Sequence, residues 1–347
     1  MNEFHGQGQS ETPAPFSPTC GADSTESDSD KVGDLNARVI DRIDGASNGS
    51  GKGPLLICVG GVHGNEPGGV HALQRVTKKI REQGELCSLA GTLLALRGNC
   101  AALAKKKRFL DVDLNRAWAV VDLERVCTQD SDFDGATDQE VRELLSVIEK
   151  ARLEERPIGL LDLHSTSGGG PPFSVVLSNK PSEKLAARIG VPCVHGLNEA
   201  IQGTLTSWFS DVVGPSIVVE GGESRTEETI RHLEAAVWSS LAVAGLLPDD
   251  HPFVRLARQL LSQATEEMPH HVNVCHREPI KAMHFHMASP GNRRFKSFDY
   301  VHKGQHLADN KKGPVVAQKD GFLIMPLYQN KGSDGFFLAE PCEDPSL

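Results

Sequence analysis

The chain has 347 residues, of which 39% are hydrophobic and 24% are charged, the composition of an ordinary water-soluble globular protein. This length is enough for one large domain and a smaller one, with a substantial core. The formal net charge of −10 argues against a nucleic acid or an anionic membrane surface as the main partner.

The sequence carries no targeting or membrane signal that we recognise. Its first residues, MNEFHGQGQSETPAP, lack the basic and apolar stretches of a secretory signal. Apolar runs stay far below the roughly 18 residues that a membrane span needs. The eight cysteines are scattered without a CxxC pair, which predicts reduced thiols and argues against a cysteine zinc site. These features predict a cytoplasmic protein.

Strands and helices alternate after an acidic N-terminal segment. Residues 1–34 are rich in small and acidic residues with little to bury, and are predicted to form a disordered tail. An edge strand is predicted at 37–43 and a buried strand at 55–59, whose unbroken apolar run is typical of a parallel sheet. The elements predicted next are helices at 70–83, 139–154 and 227–246 and strands at 91–97, 158–163, 173–177 and 216–219. This order predicts an α/β catalytic domain over residues 35–268, with a mixed, mostly parallel sheet covered by helices.

The pattern changes after about residue 268. Short strand-like segments alternate with turn signals such as Ser289-Pro-Gly-Asn and Asp334-Gly. The sequence therefore predicts a small β-rich domain over residues 269–347.

A glycine-rich turn directly follows the predicted strand 55–59. It reads Gly60-Gly-Val-His-Gly-Asn-Glu-Pro-Gly-Gly, so its backbone can approach a ligand closely at the carboxyl end of a strand. Within it, His63 and Glu66 offer an imidazole and a carboxylate, two donor types that zinc accepts. On its own, this HxxE pattern is also compatible with a solvated polar loop.

A second histidine supplies a third donor. His164 ends the predicted buried strand Gly159-Leu-Leu-Asp-Leu-His, and a Ser/Thr/Gly run follows it. If the two strands are parallel, His164 emerges at the same sheet edge as His63. Two histidines and a glutamate with an open fourth position form the ligand set of a catalytic zinc site. We therefore predict one Zn²⁺ per chain, held by His63, Glu66 and His164; the alternative is a histidine bonded to a backbone carbonyl.

Polar groups cluster in the segment Arg108-Phe-Leu-Asp-Val-Asp-Leu-Asn-Arg116. Arg108, Asn115 and Arg116 could present guanidinium and amide donors to a substrate carboxylate or a developing oxyanion. Asp113 could orient a metal-bound histidine from behind. Taken alone, the segment is also compatible with an ion-paired loop.

A glutamate ends the apolar run Ser216-Ile-Val-Val-Glu220 and precedes two glycines. A carboxylate at the end of a buried strand is costly unless it has a partner or a task. A zinc hydrolase needs a base near the water that attacks the substrate, and Glu220 is the candidate. The alternative role is a salt bridge to one of the arginines.

The motifs HGNE, DLNR, strand-end DLH and strand-end VEGG, in this order, resemble the succinylglutamate desuccinylase and aspartoacylase family, distant relatives of zinc carboxypeptidases. The segments that begin at Lys319 and Gly332 also resemble the small β domain of this family, so the resemblance spans about residues 37–341. It implies a zinc carboxypeptidase-like fold and a hydrolase that cleaves an N-acyl bond.

The resemblance also implies roles for individual residues. His63, Glu66 and His164 match the zinc ligands of the family, and Glu220 matches its catalytic glutamate. Arg108 matches the arginine that polarises the scissile carbonyl.

The carboxylate-binding pair of the family corresponds to Asn115 and Arg116, but two other positions depart from its pattern. Aspartoacylases have a further arginine ten residues before the catalytic glutamate, where this chain has Ser210. The tyrosine expected in the C-terminal domain falls near Phe336 or Phe337. These departures argue against N-acetylaspartate and for a different acyl group or amino acid.

Three classes of function remain to be weighed. The leading hypothesis is a deacylase that acts on an N-acyl amino acid or a similar small carboxylate, without a nucleic-acid or membrane partner. A carboxypeptidase-like peptidase or an esterase would use the same constellation, although the small β domain is expected to narrow the cleft against long peptides. The third class is a catalytically inactive binding module, which would have no need of Glu220 as a base. A homo-oligomer is compatible with all three.

Overall fold

The structure is a computed structural model, and it describes residues 37–45, 53–84, 88–128, 135–154, 156–177, 179–280, 284–329 and 331–343. The tail predicted at residues 1–34 lies outside the described residues.

The strands of the described residues fall into two sheets. Their bounds are β1 Val39–Asp44, β2 Leu55–Gly60, β3 Thr92–Arg97, β4 Ile158–Thr166, β5 Phe173–Val175, β6 Cys193–His195, β7 Ser216–Glu223, β8 His271–Pro279, β9 His286–Met287, β10 Tyr300–Val301, β11 His306–Asn310, β12 Gly313–Val316, β13 Gly321–Ile324 and β14 Asp334–Pro341.

Helices occupy the connections between the strands of the first two thirds of the chain. Their bounds are α1 Gly68–Gln83, α2 Cys100–Ala104, α3 Val120–Thr128, α4 Ala136–Arg152, α5 Lys180–Ala186, α6 Leu197–Ala200, α7 Leu205–Val212, α8 Glu227–Val243 and α9 Pro252–Ala264. Short 3-10 helices lie at Leu114–Arg116 and Pro290–Asn292. Among the described residues, no helix is both long enough and apolar enough to cross a bilayer.

The larger sheet has eleven strands in the order β1-β3-β2-β4-β7-β5-β6-β8-β14-β13-β10. Its centre, from β3 through β2 and β4 to β7, is parallel throughout. The strands from β8 to β10 pair antiparallel through β14 and β13. The predicted mixed, mostly parallel sheet with a β-rich C-terminal region is therefore confirmed.

Helices cover both faces of the parallel part of the sheet, because its strands are apolar on both sides. On one face α1, α8 and α9 pack on residues such as Leu56, Cys58 and Leu161. On the other face α3, α4 and α7 pack on residues such as Ile57 and Val59. Alternate residues of β2 therefore belong to opposite cores, as the two-residue period of a strand requires.

The C-terminal region continues the sheet and adds a three-stranded one, β12-β11-β9. Strand β8 pairs with β6, so the large sheet runs across the domain boundary predicted after residue 268. One core cluster also joins both sides, with Phe173 and Leu197 against Ile324 and Phe337. The division into domains stays a prediction, but the two parts share a sheet and a core.

Two strands extend further than the sequence pattern indicates. β4 and β7 pair through His164 and Glu220 and on to Thr166 and Glu223, so both site residues lie inside strands and not at their ends. The pairing fixes the two side chains as direct neighbours on adjacent strands. The register of β4 and β7 thus decides which groups meet at the site.

Candidate active site

The loop between β2 and α1 carries the first two candidate ligands. It leaves β2 through Gly61, whose φ of 76° suits glycine far better than other residues. A turn follows in which the Glu66 amide donates to the His63 carbonyl at 3.0 Å. A Cβ atom on Gly64 would lie 2.1 Å from the Ala102 carbonyl carbon. The glycines therefore let this loop pack against α2 and direct both side chains towards β4.

Three donor side chains meet at the carboxyl edge of the central strands. The donor atoms of His63, Glu66 and His164 all lie within 4.8 Å of one another. Each of the three residues is only 4% exposed. The structure thus brings together the three ligands that the sequence predicts.

The arrangement of these atoms fits a zinc ion. His63 Nδ1 lies 3.1 Å from Glu66 Oε1, yet this buried nitrogen has no hydrogen-bond partner within the described part of the chain. His164 Nδ1 lies 3.3 Å from Glu66 Oε2. Two imidazole nitrogens directed at one carboxylate in a buried site are the donor set of catalytic zinc centres.

A carboxylate lies behind each histidine. Asp113 Oδ1 is 3.0 Å from His63 Nε2, and Asp162 Oδ2 is 2.9 Å from His164 Nε2. Such contacts fix the tautomer and ring orientation of metal-binding histidines. The orienting position predicted for Asp113 matches this geometry, whereas Asp162 was missed. Its signal was available, because Asp162 and His164 are two residues apart on one strand and share a face.

The pKa of Asp113 lies well below its usual range. Burial raises this pKa, but the hydrogen bond with His63 and the positive charges of Arg108 and Arg116 outweigh burial. Asp113 is thus an anion at neutral pH and keeps its hydrogen-bond acceptors directed at the His63 ring.

Glu220 is next to the candidate ligands on β7. It is the register partner of His164 and is 5% exposed. Its Oε2 atom has no hydrogen-bond partner among the residues that the structure describes. Burial raises the pKa of Glu220 to about 7, with the negative charge of Glu66 contributing. A carboxylate with a pKa near neutrality can both accept and return a proton.

The segment after α2 brings the two arginines and the asparagine to the same place. Arg108 Nη1 donates to Glu66 Oε1 at 3.0 Å, so its guanidinium lies beside a candidate ligand. Asn115 accepts the Leu205 amide at 3.2 Å through Oδ1, which leaves its amide nitrogen as the group with protons to offer. Arg116 Nη1 donates to the Asn115 carbonyl at 2.6 Å. All three residues line cavities at the candidate metal site.

Two cavities adjoin the three candidate ligands. The larger one has a volume of about 600 Å³, and the C-terminal region lines it through residues that include Leu327 and Lys331. The smaller one has a volume of about 80 Å³ and contacts His63 and His164. Ile201 and Met325 lie on the wall of both, and local sequence patterns had pointed to neither of them.

The family model of the succinylglutamate desuccinylase/aspartoacylase catalytic domain matches residues 52–243. The chain belongs to this family. The match includes the β2–α1 loop, the 108–116 segment, β4 and β7, which together carry every candidate site residue described above.

Similar sequences include curated N-acyl-aromatic-L-amino acid amidohydrolases (carboxylate-forming). The chain is 34% identical to the protein from Rattus norvegicus over 120 residues, which are 34% of this chain and 36% of that one. It is 29% identical to form A from Danio rerio over 115 residues, or 33% and 34% of the two chains. The aligned part thus spans about a third of the length of these relatives.

Solved structures of the family share the fold. A succinylglutamate desuccinylase/aspartoacylase from Rhodobacter sphaeroides superposes with a TM-score of 0.62 at 17% identity, covering 90% of this chain and 98% of that one. Murine aminoacylase 3 superposes with a TM-score of 0.53 at 16% identity, covering 83% and 95%. The identities are low, so these matches show the fold and nothing finer.

Ser210, one of the positions at which this chain departs from the aspartoacylase pattern, lies away from the candidate metal site. Ser210 belongs to α7, where its hydroxyl contacts Asn179 at 2.5 Å and Ser182 at 3.1 Å, and it lines neither cavity. Phe337 lines the larger cavity, whereas Phe336 packs into the core of the C-terminal region. The residue ten positions before Glu220 therefore does not line either of the two cavities at the candidate metal site.

Proposed function

We propose that this protein is a zinc-dependent deacylase that hydrolyses an N-acyl amino acid or a related small carboxylate. The observation that carries the proposal is the cluster of His63, Glu66 and His164 beside a buried Glu220. Family membership and the amidohydrolase relatives support the same reaction class. The binding-module alternative leaves the raised pKa of Glu220 without a role.

Each residue has a defined task in this proposal. When bound by the three ligands, zinc supplies a Lewis acid that lowers the pKa of water and polarises a carbonyl group. Glu220 takes a proton from the attacking water as the oxygen of that water bonds to the acyl carbon. Glu220 then gives that proton to the amine nitrogen as the carbon–nitrogen bond breaks. The products are a carboxylate and a free amino acid.

The arginines and Asn115 hold the substrate in place. Arg108 donates hydrogen bonds to the oxygen on which negative charge develops, an interaction that grows stronger in the transition state. Asn115 and Arg116 bind the substrate carboxylate, where an amide and a planar guanidinium offer several donors. Asp113 and Asp162 hold the two imidazole rings in place.

The test is a screen of the zinc-loaded protein against N-acyl amino acids, dipeptides and simple esters. We expect the N-acyl amino acids to be hydrolysed with the highest kcat/KM. Faster cleavage of dipeptides or esters would favour the peptidase or esterase alternative. No hydrolysis of any compound by protein that holds one zinc per chain would overturn the proposal.

The metal assignment has its own test. Zinc content per chain should fall far below one in His63→Ala and in His164→Ala, because each removes one of three donors. Asp309→Ala removes an exposed acid that contacts His306 and should leave the zinc content unchanged. Full occupancy in both histidine variants would contradict the assignment.

A further inference from the structure

The smaller cavity at the candidate metal site is lined by apolar residues on one part and by polar residues on another. We call it the side pocket, and its apolar wall consists of Val175, Leu177, Leu197, Ile201, Val218 and Met325. Its polar rim includes both histidine ligands, Arg108, Asn115 and Arg116. The wall thus lies directly beside the groups to which the proposed function assigns binding and chemistry.

The floor of the side pocket is built by two paired strands. Val218 lies two residues before Glu220 on β7, so the two side chains share a face of the sheet. Val175 is the register partner of Val218 on β5. Alternation therefore places Val218 on the same face of the sheet as the candidate base, and register places Val175 beside Val218 on the next strand.

The polar rim offers binding partners for one carboxylate. Asn115 lines the side pocket and not the larger cavity, so a carboxylate bound to Asn115 and Arg116 lies at the side pocket. The side chain on the same carbon atom then extends into the pocket. Among the described residues, its lining contains no acidic group, and Arg108 already pairs with Glu66 at 3.0 Å. A second carboxylate would be desolvated against the apolar wall without a cation of its own, which is costly.

The volume of the pocket limits the size of that side chain. An apolar cavity of about 150 Å³ in a protein core binds benzene, whereas the side pocket measures about 80 Å³. The side pocket is thus about half that size, which favours a short branched aliphatic chain over a phenyl ring.

We infer that the side pocket selects N-acyl derivatives of small, neutral aliphatic amino acids over those of acidic or aromatic ones. The inference rests on the proposed function, which puts the substrate carboxylate on Asn115 and Arg116. It separates this chain from its curated relatives, whose name specifies aromatic amino acids. Val175 and Val218 are the residues that set the size limit.

The experiment compares kcat/KM for N-acetyl-valine, N-acetyl-aspartate and N-acetyl-phenylalanine, since the common acetyl group isolates the amino-acid half. We expect valine to exceed both others at least about tenfold, because even one extra or missing methylene group in an apolar pocket changes kcat/KM by about 10–200-fold. Val218→Ala should raise the ratio of phenylalanine to valine by about tenfold. Val219→Ala is the matched control, since the neighbouring residue faces the opposite core and its loss should leave the ratio unchanged.

Binding to Glu220→Gln, measured by calorimetry with the same three compounds, separates the inference from the proposed function. Hydrolysis in which aspartate or phenylalanine is preferred, or equal changes of the ratio in Val218→Ala and Val219→Ala, would overturn the inference alone. Preferential binding of N-acetyl-valine without hydrolysis by wild type would overturn the proposed function and support the pocket assignment. Neither binding nor hydrolysis would overturn both.

Discussion

Two buried carboxyl groups at the candidate metal site have pKa values that are shifted in opposite directions. Asp113 meets an imidazole and two guanidinium groups, and its pKa lies well below the usual range despite burial. Glu220 has an atom without a hydrogen-bond partner and lies near the carboxylate of Glu66, and its pKa rises to about 7. Partners therefore decide the charge state, which supports the orienting role proposed for Asp113 and the proton transfer proposed for Glu220.

The proton-transfer role is tested by Glu220→Gln. Glutamine keeps the size of the side chain but cannot accept the proton, and general-base catalysis contributes about 10²–10⁴-fold. We expect kcat to fall by at least about that factor while zinc stays bound, measured by steady-state kinetics together with metal analysis.

Arg116→Ala serves as the comparison for Glu220→Gln. It removes a contact that is made in both the ground state and the transition state, so KM should rise while kcat changes little. Wild-type turnover by zinc-loaded Glu220→Gln would refute the proposed mechanism.

Asp162→Asn tests the carboxylate behind His164. Asp162 is fully buried and lies 2.9 Å from His164 Nε2. Removing its charge should weaken zinc binding by about 10–100-fold, measured by competition with a chromophoric chelator. Asp138 lies on α4 and pairs with Arg125 on α3. Asp138→Asn should leave zinc affinity unchanged. An equal affinity in both variants would show that Asp162 has no orienting role.

At the scale of elements, residues 108–116, which carry Arg108 and Arg116, are held in place by contact with helix α4. Asp111 accepts the Val112 amide at 2.8 Å and the Thr137 amide at 3.1 Å, the latter in the first turn of α4. Gly135 precedes the helix, and a Cβ there would lie 2.5 Å from Asp111 Oδ2. One side chain thus joins the start of a helix to a segment that lines the active site.

Asp111→Ala should lower the free energy of unfolding by about 1 kcal/mol, the usual cost of losing a helix cap. Burial raises the pKa of Asp111, but hydrogen bonds from Thr137 and the Val112 backbone outweigh it, so the pKa in the folded state is lowered. The stabilisation is therefore complete above the unfolded-state pKa of about 3.9 and is lost as the pH falls through the folded-state value.

Urea denaturation at several pH values checks this prediction. The difference between wild type and Asp111→Ala should be constant near neutrality and should shrink below about pH 4. Asp111→Asn is the matched control, because asparagine caps helices about as well as aspartate but does not titrate. A difference that persists unchanged in acid would contradict the assigned role.

At the scale of the whole molecule, the C-terminal region completes the active site by packing against the loop after β4. Ser167 Oγ accepts the Tyr328 amide at 2.9 Å, and the Ser167 carbonyl accepts Arg294 Nη2 at 2.6 Å. A Cβ on Gly168 would lie 2.6 Å from the Pro326 ring. The segment around Pro326, which brings Met325 to the cavities, is therefore positioned by contact with a glycine.

Gly168→Ala should displace this segment and change the shape of both cavities. We expect KM to rise several-fold while zinc content stays at one per chain, because no candidate ligand is touched. Gly159→Ala is the matched control on β4, where the nearest atom to a new Cβ is 3.6 Å away. If Gly159→Ala raised KM as much as Gly168→Ala, the effect would come from β4 and not from the C-terminal wall.

The sequence by itself determined the α/β class, the order of the main elements and the residues proposed for zinc binding and proton transfer. These features follow from local chemistry, because an apolar run that ends in a polar residue and glycines marks the end of a buried strand. Strand parallelism then brings His63, His164 and Glu220 to one edge of the sheet.

Only the tertiary structure decided the shape of the space around those residues. Val175 faces Val218 because of the register of β5 and β7, and Met325 arrives from the C-terminal region. Ser210, by contrast, lies in α7 away from both cavities. The physical reason is that a cavity wall is assembled from side chains far apart in the chain, whose contacts depend on pairing and packing that local patterns do not encode.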